Sequence, residues 1–278
     1  MLITFIGGGN MASALISGLA NPPRSDLLIR VVEPIAAARE RLQATFDLTT
    51  FTDPVSAVEG ADVVLLAVKP QIMSVVLGEL AGHVRSDQLV LSIAAGVTMA
   101  SIEARLGRRL AVVRCMPNTP ALIGHGITGM AAGRNCSKRQ RAQAEEIMSA
   151  ASEVVWLENE ELMDAVTAVS GTGPAYFFLL TEALASAARE LGLPAATAER
   201  LAAITCFGAG AMIATSPDEA EELRLRVTSP GGTTEAAMAV LEKGAFRDLM
   251  SRAVRAARDR SRELSGQAGD GTEADSDD

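Results

Sequence analysis

The feature that most constrains this chain is a glycine-rich turn close to its first residue. An apolar run over residues 2–6 predicts a β-strand, Gly7-Gly8-Gly9-Asn10-Met11-Ala12 follows, and a helical pattern rich in small residues continues to Ala20. The spacing Gly-x-Gly-x-x-Ala is typical of a strand–turn–helix that binds the pyrophosphate of a dinucleotide. We therefore predict cofactor contacts from Gly7, Gly8, Gly9, Asn10 and Met11. An ordinary tight turn between a strand and a helix is the alternative.

The residue type at three positions of this turn has a physical reason. Gly7 permits a tight turn, Gly9 lets the backbone approach the phosphates, and Ala12 lets the helix pack closely on the strand. The free N–H groups at the start of the helix would face the phosphates, and the helix dipole favours their negative charge.

Strand and helix patterns alternate through the first 159 residues. The predicted strands cover residues 2–6, 27–32, 47–51, 62–68, 89–93, 110–115, 126–132 and 154–157. The main helical patterns between them cover residues 36–46, 71–81, 99–106 and 138–151. This alternation predicts an α/β domain over residues 1–159, with a parallel sheet wound by right-handed crossovers.

From residue 160 the pattern changes to helices punctuated by glycine. Predicted helices over residues 174–191, 196–215, 233–242 and 245–264 define a second, all-helical domain over residues 160–265. Many of their faces consist of Ala and Gly, and one small bundle would hardly bury so many flat faces, so we expect a homodimer through this domain. Residues 266–278 carry five acids and no Lys or Arg, and we expect a disordered acidic tail.

Composition excludes several classes of partner. The net charge of −9 argues against nucleic acid, which requires a basic face. No apolar run approaches the roughly 18 residues of a membrane span and no secretory leader precedes the first strand, so we expect a soluble cytoplasmic protein that binds no membrane. The three cysteines are far apart in sequence, which argues against a disulfide framework or a zinc site, and we expect no metal.

Cofactor selectivity depends on the end of the second predicted strand. A residue about twenty positions after the glycine turn normally meets the adenosine ribose, and here it is Glu33. Its carboxylate would accept hydrogen bonds from the ribose hydroxyls of NADH and repel the 2′-phosphate of NADPH. Arg39 and Arg41 support the opposite interpretation, in which a guanidinium reaches toward that phosphate. The residues favour NADH and leave NADPH open.

Further strands end at the same predicted edge of the sheet, where ligands bind in open α/β folds. One is followed by Ala67, Val68, Lys69 and Pro70, and the next by Ala94, Ala95 and Gly96. Lys69 is a candidate contact to cofactor or substrate, with a solvated turn lysine as the alternative. The three small residues would leave flat space for a nicotinamide, and the proline-stiffened stretch 116–120 would wall the site.

Two stretches of the helical region are similar to anion sites at helix N-termini. Ser170-Gly171-Thr172-Gly173-Pro174 breaks and restarts a helix, and Ser229-Pro230-Gly231-Gly232-Thr233-Thr234 does so with hydroxyls beside a glycine pair. Backbone N–H groups and hydroxyls in such turns bind carboxylates or phosphates. Ordinary N-capping is the alternative, although two glycines weaken a helix start unless a ligand needs the exposed backbone.

Six stretches together resemble the pyrroline-5-carboxylate reductase family. They are FIGGGNMA (5–12), AVKPQ (67–71), SIAAGV (92–97), MPNTPA (116–121), SGTGPAY (170–176) and VTSPGGTT (227–234). The resemblance implies a Rossmann domain, a helical dimerisation domain often assembled further into a decamer, and reduction of Δ1-pyrroline-5-carboxylate to L-proline with NADPH or NADH. It also implies that substrate lies between the nicotinamide and the TSPGGTT loop of a neighbouring subunit. Ser229, Gly232, Thr233 and Thr234 would hold the substrate carboxylate, with Thr234 as the catalytic candidate near the ring nitrogen.

The chain departs from this family's pattern in two places. Residues 220–225 are AEELRL where the family often has Pro-x-x-Leu-Lys-Asp, which leaves any role of that Asp unassigned. Glu33 differs from members that prefer NADPH, which place small hydroxyl residues and a basic group in this region.

Two other classes of function remain open on the residues alone. A reductase similar to β-hydroxyacid dehydrogenases would need a lysine in the second domain, but Lys243, the only lysine after Lys138, lies in a predicted turn. A non-enzymatic dinucleotide-sensing protein would need no second anion site. The two histidines, His83 and His125, lie in predicted surface turns. This fits a cyclic imine substrate, because a protonated imine is already electrophilic and positioning can replace a strong base.

Overall fold

The structure is a computed structural model that describes residues 1–107 and 109–270. The chain forms two compact units. The first unit comprises Met1–Thr172 together with the described residues from Ala257 onward. The second unit is Gly173–Ala256.

The first unit is built on one sheet. Its strands are β1 (Leu2–Ile6), β2 (Leu28–Val32), β3 (Thr49–Phe51), β4 (Val63–Leu66), β5 (Leu89–Ser92), β6 (Ala111–Met116), β7 (Gly126–Ala132) and β8 (Ser152–Trp156). Its helices are α1 (Asn10–Leu19), α2 (Ala36–Thr45), α3 (Pro54–Val58), α4 (Pro70–Leu80), α5 (Met99–Leu106), α6 (Lys138–Ser149) and α7 (Met163–Val166). Each predicted strand of the first 159 residues is therefore confirmed, with ends that differ from the prediction by at most two residues.

The strand order in the sheet is β3-β2-β1-β4-β5-β6-β7-β8. The first six strands run parallel, in the order that dinucleotide-binding folds share. The chain leaves β1 toward β2 on one side, and β4 pairs with β1 on the other, so the glycine turn lies where the winding direction reverses.

The prediction of a parallel sheet is wrong at the β6–β7 pair, and β7 and β8 both run opposite to the first six strands. β7 pairs antiparallel with β6, and β8 then pairs parallel with β7. A parallel crossover needs a dozen or more residues, whereas only residues 117–125, with a short 3₁₀ helix at Thr119–Ile123, separate β6 from β7. A link of this length permits only a return in the opposite direction.

The core of this unit lies on both faces of the sheet. In β1, Ile3 and Phe5 are buried in one apolar cluster, and Ile6 is buried in another. In β4, Val63 and Leu65 belong to the first cluster, while Val64 and Leu66 belong to the second. Because successive side chains of a strand point to opposite faces, continuous apolar runs are the pattern of strands covered on both sides.

The second unit is helical. It contains α8 (Gly173–Glu190), α9 (Ala195–Thr215), α10 (Ala220–Arg226), α11 (Thr233–Lys243) and the first part of α12 (Phe246–Asp270). α8 and α9 pack against one another. The sequence predicts the other helices but not α10, a seven-residue helix with acids in its first turn and arginines in its last.

Two further predictions can be compared with the helices. α12 continues to Asp270, past the predicted helix end at residue 264, so residues 266–270 of the predicted tail are helical; the remainder of that tail lies outside the described residues. Over residues 1–107 and 109–270, none of the helices combines the length and the apolar character that crossing a membrane requires.

Candidate cofactor and substrate sites

The turn after β1 is held tightly by the surrounding backbone. The Gly7 N–H donates to the carbonyl oxygen of Val32 in β2 (2.9 Å), and Gly7 has a φ of +106°. A Cβ at this position would lie 2.8 Å from the carbonyl oxygen of Ala67. Both the backbone conformation and the close approach to the chain after β4 therefore require glycine.

Gly9 has the opposite environment. A Cβ built there would meet no atom within 4 Å in the described structure. Gly9 is the N-cap of α1, and no side chain of a described residue caps this helix. A Cβ at Gly9 would thus enter open space beside the uncapped start of α1, and such a helix start fits a pyrophosphate. Ala12, behind the turn, is buried as predicted.

Glu33, at the end of β2, is bonded directly to the glycine turn. Its Oε2 accepts a hydrogen bond from the Gly8 N–H (3.2 Å), and its Oε1 accepts one from the Ile35 N–H (3.0 Å). Each oxygen keeps acceptor capacity for a further donor. The carboxylate is therefore placed beside the turn, where it can accept hydrogen bonds from ribose hydroxyls.

The two arginines after Glu33 differ in the structure. Arg39 is half-buried, and its Nη1 donates to the carbonyl oxygens of Glu33 (2.7 Å) and Pro34 (2.9 Å). Arg41 is exposed. Arg39 is thus bonded to the turn backbone, whereas the sequence treats both arginines alike as candidates to reach a 2′-phosphate.

The stretch after β4 contributes a second wall to this region. The Ala67 N–H donates to the carbonyl oxygen of Ile6 (2.9 Å), and a Cβ on Gly7 would also lie 3.1 Å from Cγ1 of Val68. Lys69 is the exposed N-cap residue of α4, and Pro70 occupies the first turn of that helix. The structure brings Ala67 and Val68 against the glycine turn and leaves the Lys69 side chain in solvent.

The small residues after β5 are less open than the sequence suggests. Ala94 and Gly96 are buried, and Ala95 is half-buried. Gly96 has a φ of +74°, and a Cβ there would lie 3.4 Å from Cβ of Leu264 in α12. Part of the space expected for a nicotinamide is therefore covered by the last helix, and Ala95 is the more accessible member of the three.

Two of the six stretches that carry the family resemblance lie against each other. The buried Asn118 donates from Nδ2 to the carbonyl oxygen of Ser170 (3.2 Å), and its Oδ1 accepts from the Ile127 N–H (3.0 Å). A Cβ on Gly171 would lie 2.5 Å from Cε of Met116. Met116 and Asn118 are therefore joined to Ser170 and Gly171, a contact between segments about fifty residues apart that no local pattern predicts.

An ion pair between a buried arginine and a half-buried glutamate joins β6 to the segment after β8. Arg114 in β6 is only 3% exposed, and its Nη1 donates to Oε1 of Glu160 (3.0 Å). The same oxygen accepts from the Met99 N–H at the start of α5 (2.8 Å). Sequence reasoning missed this pair, although a lone arginine inside an apolar strand is the signal that points to it.

The turn before α11 is defined by its own backbone. The Gly232 N–H donates to the carbonyl oxygen of Ser229 (3.0 Å), with Pro230 second in the turn and Gly231, at a φ of +72°, third. This is the residue pattern of a type II turn, so the turn itself accounts for Gly231. Gly232 is the N-cap of α11, and within the described chain no side chain caps that helix.

The candidate substrate residues surround this helix start. Thr234 is half-buried, and Ser229 and Thr233 are exposed. The N–H groups of Thr233 and Thr234 lie in the first turn of α11, where the helix dipole favours an anion. The Gly231 N–H donates to Oε2 of Glu235 (2.8 Å), so a carboxylate of the same helix already uses one donor of the turn.

The two histidines and the three cysteines are the other side chains that commonly act in catalysis. His83 and His125 are exposed, as predicted. The three cysteines are free thiols in the described part of the chain, and burial raises the pKa of Cys115 and of Cys136, which disfavours their thiolates. Among the described residues, no group of three or more His, Cys, Asp or Glu side chains is arranged to hold a metal ion.

The strand order, the glycine turn and the carboxylate beside it define a Rossmann-type dinucleotide-binding protein. Residues 2–96 match a family model described as NADP oxidoreductase coenzyme F420-dependent. Residues 160–264 match the model for pyrroline-5-carboxylate reductase dimerisation. Each match falls within one of the two regions that the sequence pattern separates.

Comparison with whole proteins identifies the family. The chain is 47% identical to a pyrroline-5-carboxylate reductase of Pseudomonas aeruginosa over 267 residues, covering 96% of this chain and 98% of that protein. The solved structure of a pyrroline-5-carboxylate reductase from Coxiella burnetii is 41% identical, with a TM-score of 0.88 and coverage of 95% and 98%. A Plasmodium falciparum pyrroline carboxylate reductase with NADP bound has 28% identity, a TM-score of 0.83 and the same coverage. The chain belongs to the pyrroline-5-carboxylate reductase family.

Proposed function

We propose that this chain reduces Δ1-pyrroline-5-carboxylate to L-proline with NADH or NADPH, the last step of proline biosynthesis. The observation that carries the proposal is the 47% identity to the Pseudomonas aeruginosa reductase over nearly the whole of both chains. The NADP in the Plasmodium falciparum structure and the oxidoreductase model over residues 2–96 support the cofactor class.

The cofactor residues would act by position and charge. The pyrophosphate would lie on the uncapped start of α1, and Glu33 would accept hydrogen bonds from the adenosine ribose. The full set proposed to bind the cofactor is Gly7, Gly8, Gly9, Asn10, Met11, Glu33, Ala67, Val68, Lys69, Pro70, Ala94, Ala95 and Gly96. A bound nicotinamide would supply the hydride.

The substrate residues would hold an anion beside the reacting C=N bond. Ser229, Gly232, Thr233 and Thr234 would bind the substrate carboxylate through hydroxyls and the N–H groups at the start of α11. In the protonated imine, the ring carbon accepts the hydride and the C=N π electrons become the lone pair of the nitrogen. Thr234 would hydrogen-bond that nitrogen and fix its orientation, and no strong base is needed.

The helical domain, residues 160–265, would form a homodimer, and the dimers would assemble further into a decamer. Its match to a dimerisation model supports the dimer. Large apolar side chains of the second unit support it as well, because Phe177, Phe178 and Phe207 are each more than half exposed in the single chain. Sedimentation of the protein at micromolar concentration tests for the dimer and for the decamer. A single species of 28.9 kDa would exclude both assemblies. The cytoplasmic location stays a prediction from the sequence.

The decisive assay follows NADH and NADPH oxidation with and without pyrroline-5-carboxylate. We expect oxidation that requires this substrate and yields proline stoichiometrically. Oxidation with a β-keto acid but not with pyrroline-5-carboxylate would instead indicate a dehydrogenase acting on alcohols. Cofactor binding without turnover on any of these substrates would indicate a sensing protein.

A further inference from the structure

The turn that follows β2 is fastened by one arginine. Nη1 of Arg39 donates both to the carbonyl oxygen of Glu33 (2.7 Å) and to that of Pro34 (2.9 Å). Hydrogen bonds from a charged donor are stronger than neutral ones, and Arg39 is half-buried, which limits competition from water. The consecutive carbonyl groups of Glu33 and Pro34 are therefore held by a side chain of α2.

The side chain of Glu33 extends this connection to the glycine turn. Oε2 of Glu33 accepts from the Gly8 N–H and Oε1 accepts from the Ile35 N–H. A continuous series of hydrogen bonds thus runs from Arg39 through the Glu33 backbone and carboxylate to Gly8. A shift of the turn backbone would move the carboxylate relative to the turn that receives the pyrophosphate.

We propose that Arg39 is a positioning residue that sets cofactor specificity: it holds the Glu33 carboxylate in place for the ribose hydroxyls of NADH and does not bind the 2′-phosphate of NADPH. The proposal rests on the dinucleotide site proposed above. Nη1 of Arg39 holds the guanidinium on two backbone carbonyls of the turn, and the carboxylate of Glu33 is the group that lies beside the glycine turn, bonded to the Gly8 N–H. The arginine then favours NADH, although a cation at this position would ordinarily indicate NADPH.

The test compares Arg39→Ala with Arg41→Ala, which removes an exposed arginine of the same helix. Binding of NADH and of NADPH is titrated by fluorescence without substrate, and kcat and KM are measured for both cofactors. For Arg39→Ala we expect NADH to bind about tenfold more weakly, NADPH to change less than about threefold, and kcat to stay within about twofold. Arg41→Ala should match the wild type, and Arg39→Lys should recover part of the NADH affinity because an ammonium also donates to carbonyls.

A double-mutant comparison measures independently whether Arg39 acts through Glu33. In a Glu33→Gln background, Arg39→Ala should change the NADH to NADPH affinity ratio by less than about twofold, because the charged group that Arg39 positions is already gone. A loss confined to NADPH would overturn the proposal and make Arg39 a phosphate ligand. Equal losses for both cofactors, or no loss, would overturn it as well. The titrations contain no substrate, so they test the role of Arg39 even if the reductase assay shows no turnover.

Discussion

The glycine turns before α1 and before α11 share several features. Each starts a helix that no described side chain caps, and in each a glycine N–H donates to a glutamate carboxylate, Gly8 to Glu33 and Gly231 to Glu235. The two turns differ in the part of the chain that supplies this glutamate. Glu33 comes from a neighbouring strand, twenty-five residues away in sequence, whereas Glu235 belongs to the first turn of the helix that follows.

The packing of the glycines differs in the same way. Added Cβ atoms on Gly7 and Gly8 would lie 2.8 Å from the Ala67 carbonyl oxygen and 2.6 Å from Cδ1 of Leu42, whereas one on Gly231 would meet nothing described within 4 Å. The first turn is shaped by the tertiary structure around it, and the second by its own Pro-Gly backbone. Changes at Gly7 or Gly8 should therefore reduce stability, and changes in the second turn should act mainly on chemistry.

The largest effect is expected for Gly7→Ala. The new Cβ would be too close to the Ala67 carbonyl oxygen, and alanine disfavours a φ of +106°, so we expect a loss of about 3 kcal/mol in the free energy of unfolding. Urea denaturation measures this loss. The matched change Gly9→Ala has open space and should unfold like the wild type while binding NADH far more weakly; equal stability losses for the two variants would contradict the comparison.

The next effect is on the second turn. Thr234→Ala removes the hydroxyl proposed to orient the ring nitrogen, and we expect kcat to fall about a hundredfold, in the range of a lost catalytic hydrogen bond. Titration with NADH and thermal unfolding should both remain close to the wild type. Thr234→Ser, which keeps the hydroxyl, should recover most of the rate. A parallel loss of NADH affinity would show that Thr234 does not have the assigned role.

Glu33→Ser tests the carboxylate that joins β2 to the first turn. Removal of its charge relieves repulsion of a 2′-phosphate and removes acceptors for the ribose hydroxyls. We expect the ratio of kcat/KM for NADPH over NADH to rise about tenfold. Unchanged ratios would mean that Glu33 does not contact the ribose.

The smallest effect is expected for Glu235→Gln. The amide oxygen can keep the hydrogen bond from Gly231, but the negative charge beside the proposed carboxylate site disappears. We expect KM for the anionic substrate to fall about twofold at low salt and less at high salt, since the pair of charges is exposed. An increase in KM would indicate that this carboxylate supports the substrate site rather than opposing it.

Much of the fold follows from local pattern. The helix over residues 99–106 and the strand over residues 126–132 have the predicted bounds, because hydrophobic periodicity and caps act within a few residues. The position of Glu33 beside the glycine turn also follows, since its spacing is a property of the strand–turn–helix–strand unit. The antiparallel return of β7 could have been anticipated from the short link before it, but strand periodicity carries no direction.

The contacts between distant segments could not be predicted in the same way. The pair between Arg114 and Glu160 joins residues 46 positions apart, and Leu264 reaches Gly96 from the far end of the chain. Periodicity indicates which side of an element is buried and does not indicate which other element covers it. The two arginines of α2 illustrate this limit of sequence-based prediction. Arg39 and Arg41 look equivalent in the sequence, but in the structure Arg39 donates hydrogen bonds to the turn carbonyls.

The sequence by itself determined the class of fold, the turn that starts it and the family, because these depend on residue types at short, characteristic spacings. The tertiary structure alone decided which backbone carbonyl lies against Gly7 and which arginine secures the turn that carries Glu33. Those outcomes depend on backbone carbonyls and side chains brought together from separate segments, and such distances exist only once the chain has folded.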